Sequence, residues 1–176
     1  MVPVALAAVW YGPSTTGLMA ALAAGIMAWE WGRLIGRTNS TLDTALMVGA
    51  AAASVLAAGF VSVTAGVLIA LAGVVALMIL RGFRPGWTAL GMVWIILPSI
   101  GFVWLRAEPA GLRTVLWLLT LVWSIDIAAY AVGRGVGGPK LATRISPNKT
   151  WSGLLGGVVA AMLVGLATEW LYETSL

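Results

Sequence analysis

At 176 residues, 61% hydrophobic and only 9% charged, with a mean hydropathy of +1.00, the chain carries more apolar surface than a soluble core of this length can hide. Its net charge of +4 does not point to nucleic acid, because the cations sit between apolar spans and not along one soluble face; anionic headgroups or phosphates are the fitting partners. The absence of Cys and His excludes disulfides, thiolate metal sites and the commonest general base, leaving carboxylates, cations and hydroxyls for any chemistry.

The composition therefore predicts an all-α fold, a polytopic transmembrane helical bundle of about six spans after a short apolar N-terminal segment, in a single domain over 1–176. Met1 to Tyr11 is apolar but short and lacks the basic flank of a signal peptide; it reads as the end of a first membrane or re-entrant segment, broken by Gly12, Pro13 and Ser14. Thr16 to Leu34 is the first convincing span, and Glu30 near its end, between Trp29 and Trp31, is placed to pair with Arg33 or Arg37 at the interface.

A polar loop, Arg33 to Asp43, leads to an Ala-rich span at about 44–60. A short connection, Ser62 to Ala65, leads into the next span at 66–80, and the pair reads as a tight helical hairpin. After a basic loop, Arg81 to Gly86, the span at 87–105 contains Pro98 and Ser99, which predict a kink and a freed carbonyl that needs another partner. The loop Arg106 to Arg113 precedes the span at 115–132. The last span, about 151–171, carries Gly153, Gly157, Ala161 and Gly165 at intervals of four, a stripe for close helix packing.

Trp123 to Gly157 holds most of the chain's chemistry. Asp126 is the one acid between Glu108 and Glu169, inside an apolar run, and an ionisable group there costs roughly 2.5–3.5 kcal/mol on insertion scales. Such a residue faces a cavity, an ion or a partner, although an Asp that merely bonds a neighbouring helix is the competing reading. Beyond it, Arg134, Lys140, Arg144 and Lys149 bring four cations and no acid, interleaved with the donors Ser146, Asn148, Thr150 and Ser152. From charge alone, orientation in the membrane accounts for these cations better than phosphate binding does. The turn-formers Gly133, Gly135, Gly137, Gly138, Pro139 and Pro147 add what charge does not explain, a shaped loop. Gly133 to Gly138 also fits G-x-G-x-x-G, but the preceding helix and following Pro139 exclude a dinucleotide fold.

WSIDIAAYAVGR, Trp123 to Arg134, followed by ISPNKTWSGLLGG, Ile145 to Gly157, resembles the phosphatidate cytidylyltransferase (CDP-diacylglycerol synthase) family, whose members carry Asp-x-x-Ala-Tyr and then Ser-Pro-x-Lys-Thr-Trp. Trp29, Glu30 and Trp31 look like the family's Glu-Trp element. The resemblance implies an integral membrane enzyme that joins CTP to phosphatidic acid, giving CDP-diacylglycerol and pyrophosphate with Mg2+. It implies Asp126 as metal ligand and, with Lys149, as catalytic residue, and Arg134, Lys140, Arg144, Ser146, Asn148, Thr150 and Tyr130 as substrate-binding groups. Tyr130, one turn after Asp126 and on the same face, is also placed to orient it. Asn148 and Ser152 stand where the family often has Lys and Glu, and the family's C-terminal run with His-Gly-Gly and Asp-Arg-x-Asp is not present, so the chain is expected to be the front part of such an enzyme.

Placing the 33–37, 81–84 and 134–149 loops on one side puts eight of the ten Lys and Arg there, against Arg106 and Arg113, and so predicts cytoplasmic basic loops in a bacterial-type inner membrane. That orientation discounts the glycosylation patterns Asn39-Ser40-Thr41 and Asn148-Lys149-Thr150. A homodimer is compatible with the reading. The rival classes are a non-catalytic lipid-binding or transport subunit and another CTP-dependent lipid enzyme, such as a dolichol-kinase-like protein.

Overall fold

The computed structural model describes residues 2–35, 41–81 and 85–173. Among these run seven helices, α1 (Val2–Tyr11), α2 (Pro13–Leu34), α3 (Thr41–Phe60), α4 (Val63–Arg81), α5 (Pro85–Ala107), α6 (Gly111–Gly135) and α7 (Trp151–Glu173), with strands β1 (Lys140–Ala142) and β2 (Ser146–Thr150) between the last two. The helices from α2 to α7, 19 to 25 residues long, match the six expected spans, and α1 matches the short segment before them. Four are long and apolar enough to cross a membrane, Leu42–Phe60, Gly86–Ala107, Gly111–Gly135 and Trp151–Thr168, and Val63–Ile79 is a shorter apolar helix. In hydrocarbon each N–H and C=O needs a partner within the protein, and a helix supplies it from its own turn. Arg37, Arg84, Asn39 and Ser40, on which parts of the loop and glycosylation expectations rest, lie outside the described residues.

The chain forms two compact units, Met1–Val115 and Leu116–Leu176. In the first, α2 buries Thr16, Gly17, Ala20, Ala21, Ala24, Gly25, Ala28 and Gly32, a face of small residues at helical spacing that lets its neighbours approach closely. Met47, Ala51, Val55 and Ala58 of α3, Ala70 and Leu77 of α4, and Met92, Ile95, Ile96, Ile100 and Val103 of α5 complete the core. Large apolar side chains such as Leu68, Ile79 and Trp94 point outward, as they do where lipid is the solvent.

The expected α3–α4 hairpin is present and tighter than its sequence indicates. Val63 to Ala65, read as connection, are the first turn of α4, because the Ser62 hydroxyl accepts the Ala65 N–H at 3.0 Å and caps the helix. A Cβ on Gly66 would lie 2.6 Å from Ala58 Cβ and 2.7 Å from Ser54 O, and one on Gly73 would lie 2.9 Å from Ala50 Cβ. Gly66→Val is therefore expected to push the hairpin apart and destabilise the protein by about 1–3 kcal/mol, read as a lower unfolding temperature in detergent. An unchanged temperature would show that the hairpin yields at no cost.

α5 runs on through Pro98, and the buried Ser99 hydroxyl donates to Ile95 O at 2.8 Å, bonding a carbonyl in the preceding turn. At the other end of this helix Trp31 Nε1 donates to Trp87 O at 3.0 Å, and a Cβ on Gly91 would collide with the Trp31 indole. Arg33 lies over the Trp29 ring at 4.9 Å, and the exposed Glu30 is on the same helix end.

In the second unit α6 and α7 run antiparallel. Gly157 faces Ile125 and Ala129, Gly156 faces Val132, and Gly153 faces Ala129 and Gly133. Near the far end Trp117 Nε1 donates to the Thr168 hydroxyl at 2.9 Å. Of the expected stripe, Gly153 and Gly157 pack against α6, whereas Gly165 meets open space.

Candidate functional site

The segment expected as a shaped loop is an antiparallel hairpin, with Lys140 opposite Thr150 and Ala142 opposite Ser146 and an irregularity between the two pairs. Thr143–Ile145 make the turn, closed by Ile145 N–H to Ala142 O at 3.1 Å. Its polar residues lack the apolar alternation that marks a strand in sequence, and Pro147 is tolerated because a two-stranded sheet has only edges. The G-x-G-x-x-G stretch is the last turn of α6 and the exit from it, with no strand before it.

Four hydrogen bonds fasten this hairpin to the helices. Gly137 (φ 68°) and Gly138 (φ 105°) occupy the left-handed region, which turns the chain sharply off α6. The Ser152 hydroxyl then donates to Gly137 O, and Trp151 N–H to Pro139 O at 3.1 Å. Thr150 is buried; its Oγ1 accepts the Gly153 N–H at 3.2 Å and shares a 3.0 Å hydrogen bond with Ser152 Oγ. Thr150 is thus the N-cap of α7, with its hydroxyl already engaged. A Cβ on Gly133 would lie 2.9 Å from that oxygen, so the absence of a side chain there lets α6, the hairpin and α7 meet at one point. The signals for this junction, a Thr before an apolar helical run and a Gly-Gly-Pro turn, are present in the sequence, but they do not say which group each hydroxyl serves.

Asp126, Tyr130 and Arg134 lie at intervals of four and share one face of α6. The face against α7 is Ile125, Ala129, Val132 and Gly133, so the Asp126 face is turned roughly 100° from that contact. All three are exposed within this unit. Arg134 Nη1 donates to Tyr130 Oη at 2.7 Å, and its guanidinium is 5.9 Å from the Tyr130 ring centroid. Helical side chains lean toward the N-terminus, so this pair directs the cation back along the helix toward Asp126. Tyr130, expected to orient Asp126, accepts a hydrogen bond from Arg134. Asp126 has no hydrogen-bond or ion-pair partner among the described residues. It lies roughly 10 Å along the axis from Gly133, and hence from the hairpin junction.

The remaining expected residues are on the hairpin. Lys140, Arg144, Asn148 and Lys149 are exposed, and Ser146 is half-buried. Alternation along β2 sends Lys149 and Thr150 to opposite faces, and cross-strand pairing puts Lys140 on the Thr150 side. The structure therefore brings together two sets, the Asp126–Tyr130–Arg134 face and a cationic hairpin standing on the same helix end. No three metal-ligating side chains cluster among the described residues, so Asp126 offers one hard oxygen donor group. That fits Mg2+, which takes one or two carboxylates together with water and substrate phosphates, and does not fit an all-protein metal cage.

Comparison with known proteins finds relatives of this chain. A Brucella suis protein named phosphatidate cytidylyltransferase is 51% identical over 82 residues, 46% of this chain and 30% of that protein. A Pseudomonas aeruginosa protein of the same name is 37% identical over 142 residues, 74% of this chain and 52% of that protein. One from Rickettsia bellii is 40% identical over 75 residues, 43% of this chain and 32% of that protein. The matched regions thus span between 30% and 52% of these relatives' lengths. No solved structure matches the chain. The pattern described as the cytidylyltransferase family runs from residue 1 to residue 176, and the chain belongs to that family.

Proposed function

We propose that this chain supplies membrane helices and part of the phosphate site of an enzyme that converts CTP and phosphatidate to CDP-diacylglycerol and pyrophosphate. The observation that carries the reading is a solitary carboxylate on an apolar helix, with a tyrosine-held arginine two turns above it and a cationic hairpin at the helix end. In the reaction a phosphate oxygen of phosphatidate attacks the α-phosphorus of CTP. The new P–O bond forms as the bond to the bridging oxygen breaks, and the electron pair leaves with pyrophosphate. Such a transfer asks the protein chiefly for alignment and charge neutralisation.

Asp126 would hold Mg2+, which when bound neutralises charge on the phosphate oxygens. Arg134, held by Tyr130, neutralises phosphate near Asp126, and Lys140, Arg144 and Lys149 do so from the hairpin, where Arg suits bidentate contact and Lys acts as a mobile point charge. Ser146 and Asn148 donate to phosphate oxygens, and Thr150 acts through the junction that it caps. The basic loops face the cytoplasm of a bacterial inner membrane, the side on which CTP is found. The protein is expected to assemble as a homodimer; a monomer in mild detergent by light scattering would argue against it.

Labelled CTP incorporation into lipid by the full-length protein tests the reading. Lys149→Ala is expected to raise the KM for CTP about tenfold, as loss of one charged phosphate contact does. Wild-type kinetics in the variant would remove Lys149 from the site. No incorporation by the unmodified full-length protein would favour a lipid-binding or transport subunit.

A further inference from the structure

We infer that Ser152, which is not among the phosphate-contacting residues, is the positioning residue that fixes the cationic hairpin, and Lys140 with it, on the end of α6; the role rests on the CTP–phosphatidate reading above. Helix α6 ends at Gly135, and the chain then passes through Gly137 (φ 68°), Gly138 (φ 105°) and Pro139 to Lys140, where β1 begins. Two consecutive glycines in the left-handed region make the turn possible, but with no side chain at either position nothing local holds it. The direction of the turn has to be fixed from outside, and Lys140 lies only two residues beyond Gly138.

The tie comes from the first residues of α7. Trp151 N–H donates to Pro139 O at 3.1 Å, a backbone bond that does not depend on the side chain there. The Ser152 hydroxyl donates to Gly137 O, and no other donor reaches that carbonyl among the described residues. A serine hydroxyl carries one proton, so with that proton given to Gly137 O, the 3.0 Å bond between Thr150 Oγ1 and Ser152 Oγ is donated by Thr150. Thr150 Oγ1 in turn accepts the Gly153 N–H at 3.2 Å. The donors therefore run one way, from Gly153 N–H through Thr150 and Ser152 to Gly137 O, and Ser152 links the cap of α7 to the exit from α6.

These bonds separate Ser152 from the residues that touch phosphate. Its one proton is held inside the protein and its side chain is half-buried, whereas Lys140 and Lys149 are exposed. Removing the hydroxyl breaks two bonds at once, leaving Gly137 O without a donor and the Thr150 proton without its acceptor. The hairpin keeps its own ladder, with Lys140 opposite Thr150 and Ala142 opposite Ser146, but its base becomes free to turn about the two glycines. The close approach of α7 to α6 at Gly156 and Gly157 uses neither bond, so the helices stay packed while the cations move.

Hydrogen–deuterium exchange of the full-length protein in detergent tests the tie, and labelled CTP incorporation tests what it does. Ser152→Ala is expected to speed exchange several-fold across residues 137–151 with α2 and α5 unchanged, and Ser152→Thr, which restores a hydroxyl, to return it to the wild-type rate. Unchanged exchange in Ser152→Ala would overturn the tie whether or not the protein turns CTP over. Ser152→Ala and Lys140→Ala are each expected to lower kcat/KM for CTP about tenfold, as loss of one charged phosphate contact does. The double variant should also lose only about tenfold, because the cation that Ser152 places is already gone, whereas a loss of about a hundredfold, the product of independent effects, would overturn the positioning role. Wild-type turnover in Ser152→Ala would overturn it too. No incorporation by the unmodified protein would instead overturn the CTP–phosphatidate reading, and the positioning role with it, leaving exchange to decide the tie itself.

Discussion

Asp126→Asn is expected to lower CTP-dependent lipid labelling by the full-length protein by about two orders of magnitude or more, with insertion and folding intact. Asn keeps the shape and loses the charge. Because Asp126 is exposed in its unit and has no partner among the described residues, its replacement breaks no packing and no hydrogen bond there. An ionised Asp inside an apolar helix is costly to insert, by roughly 2.5–3.5 kcal/mol, so the neutral variant should enter the membrane at least as readily. Loss of activity at unchanged abundance would then reflect a missing hard oxygen donor. Asp126→Glu, which restores the charge on a longer arm, should recover part of the rate. Turnover in Asp126→Asn within a few-fold of wild type would remove this residue from the site and leave the hairpin cations without a metal ligand on this chain.

Gly153→Val is expected to abolish activity by a different route. A Cβ at this position would lie 2.7 Å from Ala129 O, 3.2 Å from Thr150 Oγ1 and 3.3 Å from Gly133 Cα. Two of those neighbours are backbone, which cannot swing aside as a side-chain tip can. The substitution must separate α7 from α6 or displace the cap, and either shift moves the hairpin relative to Asp126. Overpacking at a backbone contact costs about 1–3 kcal/mol, and a displacement of about 1 Å in a positioned site is enough to cost about a hundredfold in rate. The accompanying measurement is protease cleavage in the hairpin, which should speed up as its fastening to Gly137 and Pro139 loosens. Gly165→Val on the same helix is the control, since nothing lies within 4 Å of a Cβ there. Equal activity in the two variants would show that the close approach at Gly153 is not needed.

Much of the architecture was legible because hydrophobicity is a local property. The apolar stretches, their polar interruptions and the solitary Asp126 can be recognised without knowing what touches them, and the Asp-x-x-Ala-Tyr and Ser-Pro-x-Lys-Thr-Trp segments identify the family. The hairpin was less legible, since its strands are polar and a period of two cannot be seen without apolar residues to mark it. The start of α4 was misplaced by three residues because Val63, Thr64 and Ala65 follow a Ser that serves equally as a loop residue and as a cap.

Sequence by itself determined the membrane class, the number of long helices, the family, and the residues able to carry charge near Asp126, because each follows from composition or from residues close together in the chain. Tertiary structure decided which hydroxyls cap and which remain open, which face of α6 meets α7, that Tyr130 engages Arg134, and that Arg106 reaches across to Val9. The reason is that a side chain's role depends on the partner it reaches, and Val9 and Arg106, or Gly133 and Gly153, become neighbours only when separate helices pack.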